Sequence, residues 1–388
     1  MKRVLITAGT VYGPLDANKL VGNRVRGLWA TQFAGYLSAK GHEVTLLLPD
    51  TMPPKSALDV GNYDSSGPAI RVLRHKGFWD YRQQCLTLAH QHDAAVMAAA
   101  VVNWIPAQPY EGKMPTQGFK EGDTIQVPFI LAPHVIDEMK MEVANPKLTL
   151  IGCKMLVNSP EDDLIEAAYG VLLKARCNVV VANDMGKGLK RKLVVHQDRT
   201  VQEYDDDFDG FYANLLGHIE DEHYSTQWEP WSSCAFGSEE GRIFDQVVGK
   251  YRDRFVKRQA GHDQVFGAVF VPTPTYAKGL VSPREKGAWF NSADATALDV
   301  VMNRTCYVFG PNKATLNAPL LLRVAREYKP TAVLHLHEQL PGVPTVPYAP
   351  PGTVRDNERE IPGPVFNIEG HGFIACLDKN LNIVGGPS

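Results

Sequence analysis

No two cysteines in this 388-residue chain are spaced Cys-x-x-Cys; Cys85, Cys153, Cys177, Cys234, Cys306 and Cys376 stand singly. That scatter excludes a zinc ribbon or a dithiol redox motif and suits small buried hydrophobes in a reducing compartment. No apolar run approaches the ~18 residues of a spanning helix, and Met1-Lys2-Arg3-Val4-Leu5-Ile6-Thr7 enters a strand without an apolar signal core. A cytoplasmic protein without a membrane partner is expected. A long Lys/Arg stripe is also missing and the net charge is −3, which excludes the electrostatic footprint of a nucleic-acid partner. Nor does the first predicted strand end in a tight Gly-x-Gly-x-x-Gly, the fingerprint of NAD-binding domains.

What is present is the balance of a packed globular protein, 44% hydrophobic and 21% charged. At about 150 residues per domain the length favours two or three units, and the patterning supports two. Residues 4–8 form a short apolar run ending in Ala8-Gly9-Thr10. Leu28, Phe33, Ala34 and Leu37 follow at helical spacing, and residues 44–48 are a second buried strand. Strands near 70–73, 94–99, 148–152 and 178–182 continue the alternation, with helices near 81–90 and 160–175. Residues 192–204 read as an edge hairpin. This order predicts a doubly wound parallel α/β sheet whose ligands sit beyond the carboxyl ends of the strands. Residues 223–240 lack either period and read as a linker between domains 1–222 and 241–388. Helices over 242–258 and 314–327 and strands over 266–271, 332–337 and 373–377 are expected in the second domain.

The loop after the first strand carries Gly9, Gly13, Gly22 and Gly27, which let backbone N–H groups approach an anion beside a helix N-terminus. Thr7-Ala8-Gly9, Gly13-Pro14-Leu15-Asp16, Gly22-Asn23-Arg24 and Gly27 come first. Met97-Ala98-Ala99-Ala100-Val101, Glu111-Gly112-Lys113, Gly152-Cys153-Lys154 and Val181-Ala182-Asn183-Asp184 follow in order. Over residues 1–204 this set resembles the phosphopantothenate–cysteine ligase family. The resemblance implies a Rossmann-like domain in which a nucleoside triphosphate, CTP first, with Mg2+ activates a carboxylate that an amine then attacks. Asn23 would hold the acyl-nucleotide and Lys113 would neutralise developing charge. Gly9, Thr10, Asp16, Gly27, Ala99, Ala100, Asn103, Ala182, Asn183, Asp184, Lys187 and Lys190 would line the nucleotide. Bland roles stand beside these: Asn23 as a helix cap, Lys113 as a solvated loop lysine, and Lys187, Lys190, Arg191 and Lys192 as a solvated basic turn. Val25-Arg26-Gly27 replaces the family's Ser-Ser-Gly, and Asn103 replaces an Asp, which puts the preference for cytosine in question.

In the second half, His335 and His337 lie two apart on a predicted strand and so share a face. His371 stands between Gly370 and Gly372 before another strand. Three imidazoles suit Zn2+, Fe2+ or Mn2+ with a position left open. Residues 332–337, with Glu369-Gly370-His371-Gly372 downstream, resemble the class II aldolase and adducin family over residues 240–380. The resemblance implies an α/β class II aldolase-like domain, with Thr273 and Thr275 in a candidate substrate loop. Asn317 stands where its aldolases carry a proton-shuttling acid. The Pro-rich stretch 341–364 suits either a rigid surface loop or a lid.

Together these residues predict a bifunctional enzyme, a nucleotide-dependent ligase fused to a metal-dependent lyase, acting on small-molecule carboxylates and amines. Both resemblances imply a homo-oligomer. Two alternatives stand: only the metal half is catalytic and the first half binds a nucleotide-linked substrate, or the chain is a scaffold without chemistry.

Overall fold

The computed structural model describes residues 1–52, 70–141, 144–145, 147–188, 190–230, 238–257 and 263–385. Contacts divide the chain into two units. The first comprises Met1–Gln197 with Val201–Glu220, the second Asp198–Thr200 with Asp221–Ser388.

The first unit is built on an eight-stranded sheet. Its strands are β1 (Arg3–Thr7), β2 (Glu43–Pro49), β3 (Arg71–His75), β4 (Ala94–Met97), β5 (Thr149–Leu156), β6 (Val179–Asp184), β7 (Lys192–His196) and β8 (Val201–Tyr204). They lie in the order β8-β7-β6-β5-β4-β1-β2-β3. Strands β1 to β6 are parallel, while β7 and β8 form the antiparallel edge that the 192–204 pattern predicts. The inner strands are apolar on both faces through their middle residues because helices cover both faces. Helix α1 (Leu28–Ala39) buries Ala30, Phe33, Ala34 and Leu37, one stripe at helical period. Helices α2 (Phe78–Ala89), α3 (Glu161–Ala175) and α4 (Phe208–Glu220) complete the layers. Val4, Ile6, Phe33, Leu46, Val96, Ile151, Val181 and Phe211 belong to one core cluster. From β1 the chain winds outward through β2 and β3, then returns to the other side of β1 as β4. The β1/β4 junction is therefore the topological switch point, where ligands of such sheets bind.

The second unit carries a nine-stranded sheet of β9 (Ser225–Pro230), β10 (Ala268–Pro272), β11 (Gly279–Val281), β12 (Thr296–Met302), β13 (Thr305–Gly310), β14 (Ala332–Leu336), β15 (Thr345–Val346), β16 (Val365–Ile368) and β17 (Gly372–Leu377). The order is β9-β13-β12-β11-β10-β14-β17-β16-β15, antiparallel except at β9/β13 and β15/β16. Successive residues of β10 and β14 serve opposite faces. Val269, Val271, Leu334 and Leu336 pack in a core with Phe244 and Val247 of α5 (Ser238–Tyr251). Ala268, Phe270 and Val333 pack in another with Leu321 and Val324 of α6 (Ala318–Tyr328). A core on each face explains why these strands read as continuous apolar runs.

Two expectations need correction. Residues 225–230, taken from the sequence as linker, form β9, paired along its full length with β13; residues 231–237 of that stretch lie outside the described residues. The β12/β13 hairpin escaped the sequence reading. It turns on Asn303 and Arg304, both at positive φ (49° and 59°), the backbone of a two-residue primed turn.

Candidate nucleotide and metal sites

Most of the motifs of the first half converge on the carboxyl edge of the first sheet. Gly9 and Thr10 follow β1, Ala99 and Ala100 follow β4, and Ala182, Asn183 and Asp184 end β6. Thr10–Val11 pairs in parallel with Ala100–Val101, directly beyond the switch point. The glycine-bearing loop is stitched across this edge. Thr10 Oγ1 donates to the carbonyls of Asn23 (2.5 Å) and Val25 (3.1 Å), and Asn23 Nδ2 donates to Val101 O (3.0 Å). Asn23 thus bridges the two strand ends, while the N-cap position of α1 is Gly27. Gly27 has φ +68°, and a Cβ there would meet the Gly9 nitrogen at 2.3 Å. Only a glycine lets α1 start this close to the end of β1.

Exposed Lys113 lies on a loop bound to the same cluster. Gly112 O accepts from Ala17 N (2.9 Å), and Asp16 Oδ2 accepts from Met114 N (3.0 Å). Asp16 Oδ1 also accepts from Asn18 N and Lys19 N. These bonds, Met114 first, hold its carboxyl well below the usual range. They give Asp16 the part of organising the loop that carries Lys113. Asp184 does likewise for Asn158, Ser159 and Gly186, whose N–H groups it accepts. Burial works to raise its pKa, yet the bonds from Ser159, Asn158 and Gly186 outweigh that and keep it low. The carboxylates expected to touch nucleotide therefore shape loops. Asn183 is buried beside Asp184, and among the described residues its Oδ1 has no hydrogen-bond partner.

Asn103 is exposed, its carbonyl accepting from Ala132 N (2.7 Å). Lys187 is exposed on the single turn Met185–Lys187 that Asp184 caps. Lys190 pairs with Asp206 (2.5 Å), and Arg191 with Glu161 and Glu203. Lys192 is buried on β7, its Nζ 5.9 Å from the Phe208 ring centre. Lys190 and Arg191 are thus paired with carboxylates and Lys192 is buried, which leaves Lys187 as the solvent-facing cation of the basic turn.

In the second unit His335, His337 and His371 meet. His335 and His337 share one face at the end of β14, and His371 stands in the turn before the adjacent β17. Gly370 (φ +64°) and Gly372 (φ +144°) flank it. A Cβ on Gly372 would stand 2.0 Å from Leu336 O, so only glycine brings the His371 turn against β14. The Nε2 atoms of His335 and His337 each lie 3.2 Å from His371 Nε2, and all three donor atoms fall within 4.8 Å of one another. Tetrahedral metal–nitrogen bonds of ~2.0–2.1 Å place ligand atoms about 3.3 Å apart, a spacing that both His371 distances match, and three imidazoles are a donor set suited to a divalent transition metal. Burial pushes the His335 pKa down to about 3, helped by His371, and likewise holds His337 well below its ordinary value. Both are then neutral, the form that ligates metal. His335 Nδ1 lies 2.9 Å from Phe373 O, which as an acceptor turns the Nε2 lone pair toward the cluster. Phe266 stacks flat on His337, centroids 4.5 Å apart and planes 5° from parallel.

The remaining expectations divide. Asn317 is buried at the start of α6, on the histidine side of the sheet, and among the described residues its Oδ1 has no hydrogen-bond partner. Thr273 and Thr275 do not join the site. Ala268 is the register partner of His335, and Thr273 lies five residues along β10 in the opposite direction, about 17 Å away at strand rise. Of the two acids nearest the histidines in sequence, Glu338, next to His337, is held by Arg254 (2.6 Å), and Glu369 is exposed. The Pro-rich stretch is packed, with Thr353, Asp356 and Asn357 fully buried, and it carries Tyr348 to within 6.0 Å of His371, ring to ring. Asp198, Phe266 and Tyr348 were missed because no spacing relates them to the histidines. Among the described residues no helix is long and apolar enough to cross a membrane.

Comparison with known proteins bears mainly on the first unit. Residues 1–204 match the family model described as DNA/pantothenate metabolism flavoprotein C-terminal domain. The chain is 25% identical over 190 residues to the coenzyme A biosynthesis bifunctional protein CoaBC of Mycobacterium bovis, covering 48% of this chain and 43% of that protein. The match thus spans less than half the length of that relative. The crystal structure of the DNA/pantothenate metabolism flavoprotein from Streptococcus pneumoniae aligns at 18% identity and TM-score 0.47, over 57% of this chain and 99% of that one. L-fuculose 1-phosphate aldolase aligns at 15% identity and TM-score 0.29, over 38% and 78%.

Proposed function

The chain belongs to the DNA/pantothenate metabolism flavoprotein C-terminal domain family through residues 1–204, and from that premise we propose that its first unit is an amide-forming ligase driven by a nucleoside triphosphate. The observation that carries this reading is the gathering of Gly9, Thr10, Asn23, Gly27, Ala99, Ala100 and Asn183 along one sheet edge at the switch point, with the Lys113 loop bound to it. A substrate carboxylate oxygen attacks the α-phosphorus of the triphosphate, CTP with Mg2+ in first place, and pyrophosphate leaves. The amine nitrogen then attacks the acyl carbon, the nucleoside monophosphate departs, and the amine proton passes to solvent. Asn23 holds the acyl-nucleotide, and Lys113 offsets the charge that builds on phosphate and carbonyl oxygen.

The test is pyrophosphate release from CTP, UTP, ATP or GTP with Mg2+, phosphopantothenate and cysteine being the first acid and amine tried. The expected result is release with one triphosphate, reduced about 100-fold or more in Lys113→Ala. No release from any of the four, with tight binding of a nucleotide conjugate, would favour catalysis by the second unit alone.

The second unit supports a further role, because three imidazoles converge with the Nε2 atoms of His335 and His337 each at metal-ligand spacing from His371 Nε2. His335, His337 and His371 would hold Zn2+, Fe2+ or Mn2+. A metal bound there acts as a Lewis acid toward a carbonyl in lyase chemistry. With Asn317 in place of an acid and Thr273 and Thr275 remote, proton transfer falls to another group. A chain that binds no metal and tolerates His335→Ala and His371→Ala without loss would be a scaffold.

A further inference from the structure

Two of the three histidines have their rings fixed by neighbours of an obvious kind, His335 by the Phe373 carbonyl and His337 by the Phe266 ring. His371 has neither. It stands in a turn between two positive-φ glycines. Its Nδ1 is buried, makes no in-line hydrogen bond, and lies 3.3 Å from Asp198 Oδ2.

We propose that Asp198 is the positioning residue of the histidine cluster, its carboxylate fixing His371 with the proton on Nδ1 and the Nε2 lone pair aimed at His335 and His337. This rests on the metal reading of the three histidines and deepens it.

The surroundings of Asp198 suit the task. It is 6% exposed and held from two sides: Oδ1 accepts from Thr200 N (3.0 Å), and Oδ2 accepts from the Tyr348 hydroxyl (3.0 Å). Thr200 Oγ1 donates to Gly370 O (3.3 Å), tying the Asp198–Thr200 turn to the residue before His371. The carboxylate is therefore aimed before any metal arrives. It is not itself a ligand, because Nδ1 and Nε2 lie on opposite sides of the imidazole and Asp198 faces Nδ1. A carboxylate behind a ligating histidine fixes its tautomer and ring orientation and strengthens it as a ligand, and loss of such a group weakens metal binding about 10- to 100-fold. Tyr348 does for Asp198 what Asp198 does for His371, which gives the Pro-rich segment a part in the site.

The experiment uses the full-length chain with Asp198→Asn, which keeps an oxygen for Thr200 N while removing the charge, and Tyr348→Phe. Two readouts are taken: 15N shifts of the His371 ring in metal-stripped protein, and Co2+ affinity by titration. The expected results are an Nδ1–H tautomer in the parent chain, a shift toward Nε2–H in Asp198→Asn, Co2+ binding weakened 10- to 100-fold, and a smaller loss in Tyr348→Phe. An unchanged tautomer with Co2+ affinity within twofold of the parent overturns the role of Asp198 while leaving the metal site standing. A parent chain that binds no Co2+ overturns the metal reading, and the tautomer readout then still decides whether Asp198 sets the ring.

Discussion

A Cβ built on Gly27 lies 2.3 Å from the backbone nitrogen of Gly9. The first turn of α1 and the end of β1 thus touch through two glycine backbones, at the strand edge where the proposed nucleotide site begins.

Gly27→Ala is expected to destabilise the first unit by about 2–4 kcal/mol, since strain at φ +68° adds to a backbone collision. Gly41→Ala is the control: φ is +86° there, but the space is open. It should cost only about 1 kcal/mol. Urea denaturation of both variants checks this, and equal losses would show that crowding between Gly27 and Gly9 is unimportant.

Lys192 predicts a pH dependence. Burial pushes its pKa down to about 8, with Cys153 opposing, while in the unfolded chain it stays protonated to about pH 10.4. Between these values the unfolded chain holds more protons, so this group makes stability rise with pH across that window. Lys192→Met is expected to be more stable at pH 7 by about 1–3 kcal/mol and to flatten the rise. Denaturation midpoints at pH 7, 8.5 and 10 for parent and variant measure both effects.

For the second unit, adding Zn2+ or Co2+ to stripped protein should raise the unfolding temperature, with about 2.7 kcal/mol gained at 100 times the dissociation constant. His335→Ala should abolish the gain. Gly372→Ala should abolish it too and also destabilise the metal-free protein, because its Cβ would collide with Leu336 O. Differential scanning calorimetry with and without metal separates the two outcomes.

The paired segments Trp104–Pro106 and Phe129–Leu131 leave Trp104 56%, Phe129 39%, Ile130 42% and Leu131 60% exposed. Apolar exposure of this kind is what a subunit contact would cover, so the homo-oligomer expected from the sequence is tested here. Trp104→Ser with Leu131→Lys should lower the mass found by sedimentation at micromolar concentration. An unchanged mass would remove this segment from any interface.

The first sheet was legible because a parallel strand buried on both faces is a solid apolar run, as in Leu46, Leu47 and Leu48, and its turns carry glycine. The second sheet was legible only in part. Strand β9 reads Ser-Thr-Gln-Trp-Glu-Pro, half-buried or exposed along an edge, and its identity lies in pairing with residues 80 positions away. The same limit applied at the sites. His335 and His337 declare themselves by strand period, whereas Asp198 and Tyr348 approach His371 only through the folded chain. Asp16 and Asp184 were expected as ligand contacts from the family resemblance, and a carboxylate at a strand or loop end can equally accept from neighbouring loop N–H groups, as both do.

The edge strand Ser225–Pro230 also governs how this molecule can be divided. A piece starting at residue 241, where the sequence suggested a boundary, would strip Thr305–Gly310 of its neighbour along all six residues. The bared edge would offer a row of backbone donors and acceptors to any similar strand nearby, an invitation to aggregate. A piece starting at Asp221 keeps that edge covered by the chain's own segment.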